Sequence, residues 1–406
     1  MIVHYRNGFL YDIWIISSEF LIFPLTKATV CDKIIYVDTM LSLYYDELNM
    51  RGRKMMSEKL WRKNLINIEP YVAGEQPKNE NIIKLNANEN PYPPSPAVER
   101  VLKSESAAEL RKYPDANAMP LKKALAERYG LKAENVFCGN GSDDVLATAF
   151  RAFFNSDKPI FYPDVTYSFY PVWCELLKIP YETKPVDENF VINVKDYYGD
   201  NGGVVIPNPN APTSLGVGKD FIEDLLEHNK DSIVIIDEAY ADFGKYSCVE
   251  LVKKYDNLVV TQTFSKSRSL AGMRVGMTFA NEELISYMQA VKDSYNSYPL
   301  DRLAIKTAVA SLSDEEYFRS TVERIKLTRD KTAESLREMG FKVLDSETNF
   351  LFVTHEKFAA KDIFTYLREA GIFVRHFNKP RIDNYLRITI GTDSQMSFLI
   401  RIASSF

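Results

Sequence analysis

The feature that most constrains the fold is a series of short, uninterrupted apolar runs, each followed by a polar or glycine-containing segment. The clearest run is residues 233–236, Ile-Val-Ile-Ile, and Asp237 follows it directly. Because strands that are covered on both faces read as continuous apolar runs, this pattern predicts buried parallel strands. Segments with helical periodicity separate the runs. This alternation is typical of an α/β protein, in which ligands bind at the carboxyl ends of the strands.

A lysine follows another of these runs, residues 258–260. Lys266 begins the pattern Lys-Ser-Arg-Ser-Leu-Ala-Gly-Met-Arg-Val-Gly, in which Arg274 lies between Gly272 and Gly276. A lysine at the end of a buried strand is poorly solvated, so its amine loses a proton more easily and can form a Schiff base. The glycines allow the backbone to approach a bound group, and arginine suits a phosphate. Taken alone, an ordinary surface loop rich in lysine and arginine explains this segment equally well.

A glycine turn connects the predicted strand at residues 136–138 to a helix. The turn contains Ser142 and Asp143 in the sequence Gly-Asn-Gly-Ser-Asp-Asp. Free backbone N–H groups and the positive end of the helix dipole meet at such a turn, which favours phosphate binding. A helix start capped by serine or aspartate is the simpler interpretation of the same residues.

These segments occur in the order found in pyridoxal-phosphate (PLP) aminotransferases of fold type I, which the chain resembles from about Trp61 to Thr392. The opening Asn-x-Asn-Glu-Asn-Pro-Tyr at residues 86–92, followed by a Tyr-Pro-Asp, is most similar to histidinol-phosphate aminotransferases. The resemblance implies an α/β fold: a large domain with a mostly parallel central sheet flanked by helices, plus a smaller α+β domain. It also implies PLP as the cofactor.

The chain is expected to divide into four parts. Residues 56–112 would form an N-terminal arm and part of the small domain, residues 113–304 the large PLP-binding domain, and residues 305–406 the C-terminal small domain. Acids and a proline interrupt the apolar stretch within residues 1–55, which is therefore too short to span a bilayer. We expect translation to begin at Met55 or Met56; a genuine membrane-associating extension is the alternative. An N-terminal peptide from residues 1–50, found by mass spectrometry of the native protein, would contradict the internal start.

The resemblance assigns catalytic roles to three residues. Lys266 would carry the cofactor and move the proton, Asp237 would pair with the pyridine nitrogen, and Tyr240 would hydrogen-bond the phenolic oxygen. Independently, a carboxylate at the end of a buried strand is unfavourable unless it is paired. The resemblance also implies four kinds of cofactor contact. Tyr92 would reach the cofactor phosphate of the neighbouring subunit, Tyr167 would stack on the ring, and Asn210 would contact the ring oxygen. The phosphate ligands would be Ser142, Asp143, Ser265 and Arg274.

One position departs from the family pattern. The residue before Pro-Thr is usually an asparagine that contacts the ring oxygen of the cofactor, and here it is Ala211. Asn210 is expected to supply this contact only if the loop is shifted.

The substrate side is predicted from an arginine in an apolar strand. Arg387 lies within residues 385–390, where an unpaired guanidinium would be unfavourable, so either a structural ion pair or an anionic ligand is expected. The resemblance places Arg387 at the substrate-carboxylate position, with Arg375 and Asn349 in the same pocket. An arginine fork can bind a carboxylate or a phosphate, which suits a site that takes both glutamate and histidinol phosphate.

Composition excludes several other classes of function. The net charge of −5 and the absence of a basic segment argue against nucleic-acid binding. The four cysteines are scattered, which favours a reducing, cytoplasmic location, and no metal site is expected. The resemblance implies small-molecule substrates and a homodimer with shared active sites, without membrane association.

The predicted reaction is transamination between histidinol phosphate and 2-oxoglutarate in histidine biosynthesis. Three alternatives share the cofactor residues: an aminotransferase for aromatic amino acids, a threonine-phosphate decarboxylase of the same fold, and a non-catalytic PLP-binding regulatory protein. The intact Lys266 and the lack of a DNA-binding region disfavour the last of these.

Overall fold

The computed structural model describes residues 65–72, 74–77 and 82–406, together with the backbone of three strands near the N-terminus. The chain divides into two compact units, Met1–Asn67 and Ile68–Phe406. In the first unit, the three strands form an antiparallel sheet: β1 (Ile2–Arg6), β2 (Phe9–Ile16) and β3 (Glu19–Pro24). The predicted start at Met55 or Met56 lies outside the described residues.

All the other strands and helices of the described residues lie in the second unit. Its strands are β4 (Ile83–Lys84), β5 (Val136–Asn140), β6 (Ile160–Pro163), β7 (Tyr181–Lys184), β8 (Gly203–Pro207), β9 (Val234–Asp237), β10 (Leu258–Thr263), β11 (Val275–Phe279), β12 (Phe341–Val343), β13 (Phe350–His355), β14 (Ile372–Phe373), β15 (Arg375–His376) and β16 (Leu386–Thr389). Its α-helices are α1 (Pro96–Ser104), α2 (Met119–Tyr129), α3 (Gly141–Phe153), α4 (Phe169–Leu177), α5 (Lys219–His228), α6 (Glu282–Tyr295), α7 (Arg302–Leu312), α8 (Glu315–Glu338), α9 (Ala360–Glu369) and α10 (Asp393–Ala403).

A mixed sheet of seven strands, in the order β5-β11-β10-β9-β8-β6-β7, forms the centre of this unit. Only β11 runs antiparallel to its neighbours β10 and β5, so the other strands share one direction. The carboxyl ends of β5, β6, β8, β9 and β10 therefore meet at one edge of the sheet. The α/β fold predicted from the sequence, with its mostly parallel sheet, is confirmed.

The apolar runs form the central strands because both of their faces are covered. Every residue of β8, β9 and β10 is buried. Successive side chains alternate between two cores: Ile236 and Val260 belong to one, and Ile235 and Val259 belong to the other. This alternation follows from the period of two in a strand, and it explains why no polar residue interrupts the runs.

A second, smaller sheet lies in the C-terminal part of the unit. It is antiparallel, with the order β12-β13-β16-β15, and β14 pairs separately with β4. The long helix α8 and the last helix α10 pack on it around a separate apolar core that includes Phe350, Leu351 and Ile388. The β4–β14 pair therefore joins residues 83–84 of the N-terminal arm to the C-terminal part of the unit.

The sequence contains two patterns that predict a capping box at a helix start, Ser-x-x-Glu at residues 313–316 and Thr-x-x-Gln at residues 392–395. The second prediction is confirmed at the start of α10. The first is wrong, because Ser313 instead terminates α7. Asp314 caps α8 by accepting a hydrogen bond from the N–H of Tyr317.

None of the helices in the described part of the chain combines the length and the apolar character that a membrane crossing requires.

Candidate active site

A cavity of about 400 Å³ opens at the edge of the large sheet where the parallel strands end. Its walls come from the segments after β5, β6, β8, β9 and β10, from the arm before α1, and from β16. Ala211, the position that departs from the family pattern, lines this cavity. So do nine of the site residues predicted from the sequence: Ser142, Asp143, Tyr167, Asp237, Tyr240, Ser265, Lys266, Arg274 and Arg387. Long stretches of chain separate these residues, so the fold itself assembles the site.

Lys266 lies three residues beyond the end of β10, and the arm fixes the backbone at this point. The side-chain amide of Asn90 donates hydrogen bonds to the carbonyl oxygens of Lys266 and Ser267, at 3.0 and 3.1 Å. The Lys266 ammonium lies 5.7 Å from the centre of the Tyr240 ring. The amine is thus directed along the cavity by its own segment and by the arm.

Asp237 is the last residue of β9, and its carboxylate is buried. Burial raises the pKa of Asp237 to about 6, against the lowering effect of a hydrogen bond from Tyr170 and one from the N–H of Ala239. Tyr170 is fully buried and its hydroxyl donates to Asp237 Oδ2 at 2.7 Å. Burial also raises the pKa of Tyr170 well above its ordinary value, so this tyrosine remains a neutral donor. A cation placed in the cavity beside Asp237 would favour the charged carboxylate.

Tyr170 was not predicted from the sequence because it is one aromatic residue among many. Its position three residues after Tyr167, at the start of α4, is the signal that could have identified it. Near a helix start, residues three apart point to the same side, so both rings approach the ends of the strands. The two rings lie 5.7 Å apart and nearly perpendicular.

The N-terminus of α3 lines one part of the cavity through Ser142 and Asp143. Gly141 has a φ of +84°, and a Cβ there would lie 2.9 Å from Arg274 Cζ. A Cβ on Gly276 would lie 2.6 Å from the backbone nitrogen of Ser142. These two glycines therefore allow the helix start and the Arg274 segment to pack closely. Asn140, rather than Ser142 or Asp143, is the N-cap residue of α3.

Asp143 connects the helix start to the rest of the site. Its two carboxylate oxygens accept hydrogen bonds from the Tyr167 hydroxyl at 2.7 Å and from Arg274 at 3.2 Å. Burial raises the pKa of Tyr167 well above its ordinary value, so Tyr167 stays neutral. Tyr71 of the arm stacks on Phe169 at 4.2 Å and lies 6.3 Å from Tyr167. The arm therefore covers the aromatic side of the cavity, which the sequence did not indicate.

Arg387 lies on β16 and contributes its guanidinium to the opposite end of the cavity. One terminal nitrogen donates to the carbonyl oxygen of Asn86 at 3.0 Å, while Nε is buried without an acceptor among the described residues. Burial lowers the pKa of Arg387, and the neighbouring Arg375 lowers it further. The structural ion pair considered as an alternative is not found for Arg387 within the described part of the chain. The guanidinium thus has donor capacity left for an anionic ligand.

Two other predicted substrate residues have different surroundings. Arg375 lies on β15 directly opposite Arg387 but does not line the cavity. Asn349 is fully buried and donates from its amide to the carbonyl oxygen of Asn88 at 3.1 Å. Asn349 therefore supports the arm, and the substrate contacts predicted for both residues stay predictions.

The loop after β8 does not turn Asn210 towards the cavity. The side-chain amide nitrogen of Asn210 donates to the carbonyl oxygen of Val165 at 2.9 Å, and its oxygen accepts from Thr166 at 3.2 Å. Ala211 lines the cavity instead. The loop shift that would bring Asn210 to a ring oxygen is therefore not observed, because both ends of its amide are already bonded.

Tyr92 also lies outside the cavity lining. Its hydroxyl is buried within its own chain without a partner among the described residues, and Arg324 lies 4.7 Å above its ring. A contact from Tyr92 to a neighbouring subunit would require this hydroxyl to leave its buried position. The role predicted for Tyr92 gains no support from the geometry.

The donors around the cavity fit PLP at both ends. The helix start, Ser142, Ser265 and Arg274 offer hydrogen bonds and positive charge for a phosphate. A buried carboxylate suits a protonated pyridine nitrogen, and Lys266 suits an aldehyde. The arrangement can hold, next to an amine, a flat cofactor with a negatively charged phosphate and a positively charged ring.

Comparison with known proteins agrees with this chemistry. The model of the family "Aminotransferase class I and II" matches residues 80–402. The chain is 50% identical over 346 residues to a histidinol-phosphate aminotransferase of Lactococcus lactis subsp. cremoris, covering 85% of this chain and 97% of the relative. It is 51% identical over 363 residues to that of Acinetobacter baylyi, covering 88% and 99%.

A solved structure supports the fold. The histidinol-phosphate aminotransferase of Sinorhizobium meliloti, in complex with pyridoxal-5′-phosphate, superposes with a TM-score of 0.73 at 23% identity, covering 80% of this chain and 91% of that protein. Fold, cavity residues and relatives lead to one conclusion: the chain belongs to the class I and II aminotransferases, among the histidinol-phosphate aminotransferases, and is a PLP-dependent enzyme.

Proposed function

We propose that the protein transfers the amino group between histidinol phosphate and 2-oxoglutarate, in the direction that yields imidazole-acetol phosphate and glutamate in histidine biosynthesis. The observation that carries this proposal is the meeting of Lys266, Asp237 and the incompletely bonded Arg387 around one cavity. The relatives at about half identity, which are named for this reaction, support the choice of substrate.

Lys266 acts as the amine that carries the cofactor and as the base that moves a proton. When PLP is bound, it serves as an electron sink that stabilises negative charge on the substrate carbon. Lys266 would accept the proton from that carbon and return it during the exchange. Asn90 holds the backbone of the lysine segment, so the Nζ path is short and defined.

Asp237 and Tyr240 set the electronic state of the ring. The Asp237 anion would keep the ring nitrogen protonated, and Tyr170 stabilises that anion through its 2.7 Å hydrogen bond. Tyr240 would donate to the ring oxygen. Ser142, Asp143, Ser265 and Arg274 belong to the phosphate-binding end, with Asp143 orienting Arg274 and Tyr167.

Arg387 would bind the anionic group of either substrate. A guanidinium presents paired donors that match both the carboxylate of glutamate and the phosphate of histidinol phosphate. The partly covered location excludes water around this contact, which strengthens it. Arg375, directly opposite on β15, would add positive charge at the same end.

The test follows the visible absorbance of purified protein loaded with PLP. Glutamate should remove the visible band, and imidazole-acetol phosphate should restore it, because each step moves an amino group on or off the cofactor. If only phenylpyruvate restores the band, the aromatic aminotransferase is the correct assignment. Release of CO₂ from threonine phosphate would instead identify the decarboxylase. If Lys266→Ala and the parent protein give the same blank spectrum, the catalytic proposal fails.

We also propose a homodimer. Tyr113 is 80% exposed, and its ring stacks on that of Tyr298 at 4.7 Å; Leu110, in a short helical turn beside it, is 65% exposed. An exposed aromatic and aliphatic cluster of this kind suits a second copy of the chain. Sedimentation analysis should give twice the monomer mass, and Tyr113→Asp should reduce it.

The division into a large domain at residues 113–304 and small-domain parts at residues 56–112 and 305–406 remains part of this proposal, as does a cytoplasmic location. Three free, buried cysteines, Cys138, Cys174 and Cys248, support a reducing compartment. Limited proteolysis that cuts between the proposed domains would support the division.

A further inference from the structure

One wall of the cavity lacks the side-chain donor that the family pattern leads one to expect. Ala211 faces the cavity, and Asn210 is turned away with both ends of its amide bonded. Tyr240, three residues beyond the end of β9, lines the same cavity. The direction in which the Tyr240 hydroxyl points its single proton therefore matters more here than in a site with an asparagine at position 211.

A buried asparagine of the arm determines that direction. Asn88 is 1% exposed, and its side-chain amide nitrogen donates a hydrogen bond to the Tyr240 oxygen at 2.8 Å. A phenol has one proton to donate and lone pairs with which to accept. Because the oxygen accepts from Asn88, the proton of Tyr240 is left for an acceptor in the cavity.

Thr389 fixes which end of the Asn88 amide faces Tyr240. Thr389 Oγ1 accepts from the backbone N–H of Asn88 at 3.0 Å and donates to Asn88 Oδ1 at 3.0 Å. If the amide were reversed, the buried Thr389 hydroxyl would face an NH₂ group and lose its acceptor. A buried donor without a partner is unfavourable, so the arrangement with the amide nitrogen on Tyr240 is preferred.

We propose that Asn88, held by Thr389, is a positioning residue that keeps Tyr240 a hydrogen-bond donor into the cavity and so replaces the ring-oxygen contact that Ala211 cannot make. The inference rests on the proposed role of Tyr240 as the ligand of the cofactor's ring oxygen. It gives the arm a chemical function in addition to its contacts with the backbone of Lys266.

The experiment is a pH titration of the visible absorbance of the PLP-loaded enzyme, combined with the cofactor dissociation constant from equilibrium dialysis. Losing a donor to the ring oxygen makes that oxygen a better partner for the proton at the Lys266 nitrogen, so the titration midpoint should rise. Tyr240→Phe should raise the midpoint by about one pH unit, the effect of one hydrogen bond to a charged group. Asn88→Asp should raise it as well, because the introduced carboxylate would accept the Tyr240 proton.

A double variant separates hydroxyl orientation from charge. In the Tyr240→Phe background, Asn88→Asp should add little to the midpoint, since no hydroxyl remains to be turned. An equal rise from Asn88→Asp in both backgrounds would overturn the inference, because it would reflect only the added negative charge. A Tyr240→Phe midpoint equal to that of the parent would instead overturn the proposed role of Tyr240 itself.

Thr389 provides a second pair of variants that keeps the test independent of how well Asn88→Asp folds. Thr389→Val removes the proton that orients the amide, and it should raise the midpoint and the cofactor dissociation constant by less than Tyr240→Phe does. Thr389→Ser keeps the hydroxyl and should match the parent. Equal midpoints for the valine variant, the serine variant and the parent would contradict the proposal.

Discussion

The two ends of the cavity differ in how completely their charged groups are bonded. At the cofactor end, the Asp237 and Asp143 carboxylates accept hydrogen bonds from Tyr170 and Tyr167 within the same chain. At the substrate end, Arg387 Nε is buried and has no acceptor among the residues that the structure describes. A buried polar group without a partner is unfavourable by about 1–3 kcal/mol. The cofactor end is therefore assembled in advance, whereas in the proposed function the substrate end is completed by its anionic ligand.

The largest effect on activity is expected from removing the Lys266 amine, because the proposed reaction needs this amine whatever the state of the two ends of the cavity. Lys266→Ala should lower kcat by about 10⁴-fold, because the substitution removes both the covalent attachment and the proton transfer. Steady-state transamination with histidinol phosphate would measure this. The Asp237 and Arg387 environments should be unchanged, so binding of inorganic phosphate at the substrate end should persist. Residual activity within tenfold of the parent would contradict the assignment of Lys266.

At the cofactor end, the buried Asp237 carboxylate should lower the stability of the folded protein when the cofactor is absent. The folded protein raises the pKa of Asp237 from 3.8 to about 6, so between these pH values it holds a proton that the unfolded chain has lost. The free energy of unfolding of the apoprotein should therefore fall by about 3 kcal/mol as the pH rises from below 4 to above 6. Asp237→Asn should lack this component.

Urea denaturation of the apoprotein and of Asp237→Asn across this pH range would measure the difference. Bound PLP should remove much of the penalty, because a cation beside Asp237 favours its charged form. If the difference between the two proteins does not change with pH, the carboxyl does not titrate with a raised pKa.

At the substrate end, KM should depend on the paired donors of the Arg387 guanidinium. Arg387→Lys should raise KM for both substrates about a hundredfold, because lysine cannot offer paired planar donors and the hydrogen bonds involve charged groups. Arg375→Lys is the matched variant on the neighbouring strand, and it should change KM only a few fold, since Arg375 does not line the cavity. Steady-state kinetics with each substrate would compare them. Equal effects of the two substitutions would show that both guanidiniums contact the anion.

The smallest effect is expected from a residue that acts through another. Tyr170→Phe should lower kcat about tenfold with little change in KM, because it removes a hydrogen bond to the Asp237 anion but no cavity-lining group. The acid limb of the pH–rate profile should move upward, since Tyr170 lowers the pKa of Asp237. Tyr162→Phe is the matched control: the Tyr162 hydroxyl is also buried but has no partner in the described chain. If both variants behave alike, Tyr170 has only a packing role.

Local sequence was enough to predict several of the strands. The residues at 160–163, 203–207 and 275–279 also predict strands, and these match β6, β8 and β11 at both ends. Continuous apolar runs bounded by turn residues are a local signal, which is why their bounds were predictable. The cap of α8 was misassigned because Ser313 and Asp314 are both good N-cap residues, and the choice between them depends on where α7 ends.

The cavity residues were predictable only where a motif marked them. Lys266, Asp237 and Arg274 each lie in such a segment. Tyr170 was missed because its partner Asp237 is 67 residues away, and Asn88 because its partner Tyr240 is 152 residues away. No local pattern encodes a hydrogen bond of that separation. The burial of Asn349 and of the Tyr92 hydroxyl was not predictable from neighbouring residues, since burial depends on the whole packed chain.

By itself, the sequence determined the α/β architecture and the positions of Lys266 after β10 and of Asp237 at the end of β9, because strand burial and strand-end chemistry are encoded in neighbouring residues. The tertiary structure alone decided which polar groups meet. Packing the arm against β9 and β16 places Asn88 between Tyr240 and Thr389. It also leaves Arg387 Nε buried without an acceptor among the described residues. Hydrogen bonds act over about 3 Å, so their partners are set only once distant segments have packed together.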